Sequence, residues 1–154
     1  MLDQKANEFM AQKRIAVVGV SRTGQGTAAG IFTALRASGH EVFAVNPNVF
    51  MLGEDTVYPS LKAIPGGVDG AVIVTRPELT EKIVQDAAEA GVKRLWMHNN
   101  TLGASSVSEQ AVDYCLEHQI DVIPGACPMM YLDPFHKAMK WGLGITGRLP
   151  EIPV

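Results

Sequence analysis

Apolar residues gather in five short runs, each followed by turn residues and then by a stretch of helical spacing. The runs are RIAVVGV (Arg14 to Val20), EVFAVN (Glu41 to Asn46), DGAVIVT (Asp69 to Thr75), VKRLWMH (Val92 to His98) and IDVIPG (Ile120 to Gly125). They are rich in Val and Ile and barely alternate with polar residues. Strands of that kind are buried on both faces, in parallel sheets covered by helices. Between them, Ala28 to Gly39 carries Ile31, Phe32 and Leu35 at helical spacing and closes on Gly39. Pro77 to Gly91 is amphipathic, with Pro near its first turn and Gly just past its end. Ser106 to Gln119 reads as a helix opened by a capping box of Ser106 and Glu109. Lys5 to Lys13 reads as a further helix over one edge of the domain. Asn46 to Gly67 is a loop-rich connection with a short helix at Ser60 to Ala63, and the tail from Cys127 holds one short helix over Pro134 to Trp141.

Strands alternating with helices predict βαβ units with right-handed crossovers. The expected fold is therefore α/β: a Rossmann-like, doubly wound, parallel five-stranded sheet in the order 3-2-1-4-5. It forms a single domain over residues 1–154, with an N-terminal helix in 1–13 and a C-terminal extension in 126–154. Ligands of such sheets bind at the carboxyl ends of the strands where the order reverses. The loops after Val20, Val45, Val74, Trp96 and Ile123 are the places for a site.

Composition narrows the function. Of 154 residues, 47% are hydrophobic and 19% charged, so the chain can bury a core and is not disordered. The net charge is −3 with no Lys/Arg block, which argues against nucleic acid and anionic membranes as partners. A small basic pocket for one anionic ligand is still compatible. The N-terminus MLDQKANEFMAQKR lacks the apolar run of a signal peptide, and no stretch approaches the ~18 apolar residues of a membrane span. Cys115 and Cys127 make no disulfide framework, and a reducing, cytoplasmic location is expected.

The turn Gly19-Val-Ser21-Arg22-Thr23-Gly24-Gln25-Gly26 joins the first strand to the helix that follows. Backbone N–H groups and a helix N-terminus converge there, and together they favour a phosphate. Glycines allow close backbone approach, Ser21 and Thr23 add hydroxyls, and Arg22 adds charge. Ser21 stands where the dinucleotide fingerprint G-x-G-x-x-G needs its second glycine, and no Gly-Lys-Ser/Thr of a P-loop is present. The second strand ends in Asn46-Pro47-Asn48, without the carboxylate that takes the ribose hydroxyls of NAD. Arg76, before Pro77, is expected to be extended and placed to meet a phosphate; a solvated arginine is the equal alternative.

These residues resemble the CoA-binding domain family, small stand-alone proteins similar to the N-terminal domain of the succinyl-CoA synthetase α subunit. The likeness rests on IAVVGVSR (Ile15 to Arg22), AVNPN (Ala44 to Asn48), VYPSL (Val57 to Leu61), VDGAVIVTRPE (Val68 to Glu78), KRLWMH (Lys93 to His98) and IDVIPGACPMMY (Ile120 to Tyr131). It implies a Rossmann-like domain holding the ADP portion of coenzyme A. By the same resemblance Gly19, Ser21, Arg22 and Gly24 line the phosphates, beside the Thr23 hydroxyl of that turn, and Asn46 and Pro47 border the adenosine end. Val74, Thr75, Arg76 and Pro77 line the pocket after the third strand. Two departures set the rim apart. Many members carry Phe-Arg-Arg where this chain has Val74-Thr75-Arg76, and Gln-x-Gly where it has His98-Asn99-Asn100.

Candidates for chemistry are few. Cys127 follows the fifth strand and could exchange with a CoA thiol; a buried, inert thiol is the favoured reading. His98, without a visible carboxylate partner, is read as structural in preference to an acid or base, and His40, His118 and His136 as surface residues. No spacing of His, Cys and Asp resembles a zinc site. In the family the phosphorylated histidine lies in a second domain, before which this chain ends. The expected function is thus a non-catalytic CoA or acyl-CoA sensor, carrier or regulatory module. The alternatives are a small NAD(P)-dependent oxidoreductase and a nucleotide-binding subunit of a larger enzyme. Met129, Met130, Tyr131, Phe135, Met139 and Trp141 are expected to cover the core in preference to forming a homodimer face. Gly19→Val is expected to block the ligand while leaving the fold intact.

Overall fold

The computed structural model describes residues 2–99 and 105–132. Its helices are α1 (Leu2–Met10), α2 (Thr27–Ala37), α3 (Pro77–Glu89) and α4 (Glu109–Glu117). Its strands are β1 (Arg14–Val18), β2 (Glu41–Val45), β3 (Met51–Leu52), β4 (Asp55–Tyr58), β5 (Gly70–Ile73), β6 (Arg94–Met97) and β7 (Asp121–Pro124). Short 3-10 turns cover Leu61–Ala63 and Pro128–Tyr131. The tail helix expected at Pro134 to Trp141, with Phe135, His136 and Met139, lies outside the described residues.

The strands form one seven-stranded sheet in the order β3-β4-β2-β1-β5-β6-β7. All neighbours run parallel except β3, which pairs antiparallel with β4. The fold is thus α/β and Rossmann-like, but the expected five strands in the order 3-2-1-4-5 need correction. The third apolar run is β5, and it lies on the opposite side of β1 from β2. The place beside β2 is taken by β4, from the connection expected to be loop. Asp55-Thr56-Val57-Tyr58 is only four residues long and buries Val57 alone, so its pattern is too short to stand out.

Alternate residues of each strand divide the core between two faces. Ile15, Val17, Val72, Trp96 and Ile123 pack with α1 and α2 through Phe9, Ile31, Phe32 and Leu35. Ala16, Val18, Ala71, Ile73, Leu95, Met97 and Val122 pack against α3 and α4 through Val84, Ala87, Ala111 and Cys115. Double-sided burial is what the unbroken apolar runs encode, at roughly 1.5–3 kcal/mol for each large side chain. Trp96 is fully buried, meets Phe9 and Tyr131 edge-on, and donates from Nε1 to the Gly125 carbonyl at 2.9 Å. Met130 is buried and Met129 and Tyr131 pack against the same cluster, in keeping with core cover.

Two local expectations change. The α4 cap is Ser108, whose Oγ accepts from the Ala111 N–H at 3.3 Å; Ser106 lies two residues earlier and is buried. His40 is half-buried, its ring nitrogens facing the carbonyls of Leu35 and Met10 at 3.1 and 2.8 Å. His118 is exposed as expected, stacked on Tyr114. Among the described residues no helix is long and apolar enough to cross a membrane, and no cluster of His, Cys, Asp and Glu could hold a metal ion.

Candidate functional site

A cleft of about 840 Å³ opens at the carboxyl ends of the strands. It straddles β1 and β5, where the strand order reverses, the expected position for a ligand. Gly19 and Thr27 bound it on one side, with Asn46, Pro47 and Asn48 beyond them. Val74, Thr75, Arg76 and Pro77 form the opposite wall, and His98 and Ser106 lie past the end of β6. Seven of the expected site residues are thereby brought together: Gly19, Asn46, Pro47, Val74, Thr75, Arg76 and Pro77.

Ser21, Arg22, Thr23 and Gly24 do not line this cleft; they build the turn beside it. Ser21 Oγ donates to the Gln25 carbonyl at 2.7 Å and lies 3.1 Å from Thr23 Oγ1, so a serine pins the turn where the fingerprint would have a glycine. Gly24, at φ +68°, faces a separate shallow groove along α2. Arg22 Nη2 donates to the carbonyl of the cleft residue Asn48 at 3.2 Å, joining the first loop to the second. Asn46 makes the same join from the other side, donating from Nδ2 to the Val20 carbonyl at 2.7 Å and accepting from the Asn48 N–H at 2.8 Å. Its amide is occupied in holding the loops, which the sequence pattern did not disclose.

The α2 N-terminus is open. Its N-cap is Gly26, at φ +95°, and no side chain caps the first turn. The first N–H groups of a helix lack intrahelical partners and carry the positive end of its dipole. Gly19 lines the cleft and also makes room within the sheet. A Cβ built there would lie 2.1 Å from the Val74 carbonyl oxygen, and its φ is +109°. Gly19→Val would therefore break the fit of β1 against β5, which corrects the expectation of an intact fold. The glycine admits the protein's own backbone.

The far wall is tied by a buried hydroxyl network. Thr80, fully buried, donates from Oγ1 to the Ser106 carbonyl at 2.7 Å and lies 3.0 Å from Thr75 Oγ1. The Ser106 hydroxyl accepts from the Thr75 N–H at 2.9 Å. Arg76 is extended (φ −66°, ψ 148°) and exposed at the N-cap of α3. One turn on, α3 turns Leu79, Lys82, Ile83 and Asp86 to the cleft. Arg22, Arg76 and Lys82 form no salt bridge with an acid among the described residues, whereas Asp86 is the acidic residue of the lining. Lys82, Thr80, His98 and Ser106 were missed or misassigned as site builders; spacing i, i+3, i+4, i+7 on α3 was the available signal. Cys127 is buried, lies outside the cleft lining, and burial pushes its thiol up, as suits an inert core residue.

An open α/β sheet with an uncapped helix start and a cleft at its switch point defines a Rossmann-type ligand-binding domain. The chain belongs to the CoA-binding domain family, which it matches over residues 13–133. It is 30% identical over 104 residues to the ADP-forming acetate–CoA ligase II of Archaeoglobus fulgidus, covering 66% of this chain and 15% of the ligase. The chain thus spans about a seventh of that curated relative. A protein of Pyrococcus horikoshii OT3 superposes with TM-score 0.75 at 25% identity, over 84% of this chain and 91% of that one. The dinucleotide-forming acetyl-coenzyme A synthetase 1 of Ca. Korarchaeum cryptofilum, in complex with phosphate and ADP, superposes with TM-score 0.65 at 25% identity, over 80% of this chain and 27% of that one.

Proposed function

We propose that the cleft binds coenzyme A or an acyl-CoA through its ADP portion, and that the domain serves as a cytoplasmic sensor, carrier or regulatory module without catalysis of its own. The observation that carries this reading is the uncapped start of α2 at the switch point, beside Arg22, Arg76 and Lys82. An anion there meets free N–H donors, a helix dipole and cations without acidic partners. The diphosphate lies at the turn Gly19 to Gly24 and the first amides of α2, with Ser21, Arg22 and Thr23 shaping that turn. The adenosine rests on Asn46 and Pro47. The remaining arm runs along Val74, Thr75, Arg76 and Pro77. The cleft volume falls within the ~300–1,000 Å³ of small-molecule sites. A homodimer or a larger partner protein is compatible with this role, since the ligase relative is far longer.

A thermal-shift panel of CoA, acetyl-CoA, NAD, NADP and ATP tests the reading. CoA at a hundredfold excess over its Kd should stabilise the protein by about 2.7 kcal/mol. NAD should do little, because the β2 tip Asn46-Pro47-Asn48 offers no carboxylate and Asn46 is already committed. A shift with NAD or NADP alone would favour the oxidoreductase. Arg76→Ala should weaken CoA about tenfold, one charge-assisted hydrogen bond, without changing the stability of the free protein.

A further inference from the structure

Among the described residues of the cleft lining, His98 is the buried polar side chain whose ring Nε2 is left without a hydrogen-bond partner. It follows β6 directly, and its main chain extends the sheet: the N–H donates to the Ile73 carbonyl at 2.9 Å, and the carbonyl accepts from the Ser106 N–H at 2.8 Å. The backbone at His98 is therefore held from both sides. Only 2% of the residue is exposed, yet it lines the cleft beside Thr75 and Ser106. Its Nε2 has no hydrogen-bond partner among the described residues. Other buried or half-buried side chains of the cleft have partners: the hydroxyls of Thr75, Thr80 and Ser106 bond to one another's elements, and Asn46 spans two loops. Leaving a buried ring nitrogen without a partner destabilises the fold, and native proteins rarely leave one idle.

We infer that Nε2 of His98 is the specificity-determining contact for the arm of the ligand beyond its phosphates, and that it selects an uncharged hydrogen-bonding group there, such as an amide, a hydroxyl or a thiol. This rests on the nucleotide reading of the same cleft. The surroundings define the class of group. Val74, Leu61 and Ile83 supply apolar lining to the same cleft as His98, so a charged terminus entering among them would lose its water without gaining a counter-ion from His98. Burial holds the imidazole below its ordinary pKa, so the ring is neutral near pH 7 and offers one donor or one acceptor at Nε2. A site built to hydrogen-bond one group discriminates strongly against a ligand that lacks it, because the protein atom is then left unpaired.

The test separates the arm from the nucleotide. Calorimetric titration compares CoA with 3′-phosphoadenosine 5′-diphosphate, its nucleotide part alone, on the wild type, His98→Gln and His98→Leu. The leucine variant should lose about tenfold in CoA affinity and bind the nucleotide fragment unchanged, and the glutamine variant should retain most of the CoA affinity. On the wild type, the imidazole ¹⁵Nε2 resonance should move on adding CoA and stay put on adding the fragment, a readout independent of whether a variant folds. Equal losses for both ligands, unchanged CoA affinity in the leucine variant, or a resonance that moves equally for both would overturn the inference. A wild type that binds neither ligand would remove the nucleotide reading itself, and this inference with it.

Discussion

Gly19 and the thiols decide what single residues contribute. At Gly19 an added Cβ meets the Val74 backbone at 2.1 Å, and the positive φ adds strain of its own. Gly19→Val should therefore cost more than ~3 kcal/mol in urea denaturation, a loss of folding that precedes any loss of binding. Burial pushes the Cys115 thiol up to about 12. The unfolded thiol ionises near its ordinary value of about 8.5, while the folded one keeps its proton. Stability is therefore whole below that lower value and falls as pH rises toward the higher one, by about 1.4 kcal/mol per pH unit for one such group. In Cys115→Ala that slope should be shallower by the same amount between pH 9 and 11, with no difference in slope below pH 8. A slope identical in both proteins would show that the thiol does not titrate on unfolding.

At the scale of elements, two serines two residues apart have different tasks. Ser108 caps α4, and Ser108→Ala should lower stability by about 1 kcal/mol and leave CoA affinity as it was. Ser106 holds the Thr75 N–H at the cleft wall. Ser106→Ala should cost about 1–3 kcal/mol and weaken the ligand as well, measured by denaturation and titration side by side. From sequence the two are hard to separate, because Ser106 with Glu109 satisfies the capping-box spacing as neatly as Ser108 satisfies the actual cap. The five long apolar runs were legible for a physical reason: each is buried on both faces, as Ile15-Ala16-Val17-Val18 is in β1. β3 and β4 were not, since two residues, and four of which only Val57 is buried, give no period. The order of the sheet was misread through that one omission. The site was legible where backbone and turn chemistry specify it, at Gly19, Asn46, Pro47 and Arg76. It was obscure where a helix face turns inward, at Lys82, or where a strand end is buried without a partner, at His98.

Across the whole molecule, a net charge of −3 coexists with Arg76 and Lys82 in the cleft lining and Arg22 in the turn beside it. The overall field repels a polyanion while the local field attracts it, and the local term must dominate within a Debye length of roughly 10 Å at 0.1 M salt. Raising sodium chloride from about 50 to about 500 mM should weaken CoA binding on the order of tenfold, read by calorimetry. Insensitivity to salt would mean that Arg22, Arg76 and Lys82 do not share in binding. A segment 30% identical to this chain over 104 residues makes up 15% of a much longer acetate–CoA ligase.

The tight crossing at Gly19 bears on how such turns are read in other chains. Because the missing side chain makes room for the neighbouring strand, a descendant that had abandoned every cargo would still be obliged to keep that position bare. A glycine there testifies to the weave of the sheet, and occupancy has to be argued from the uncapped amides downstream.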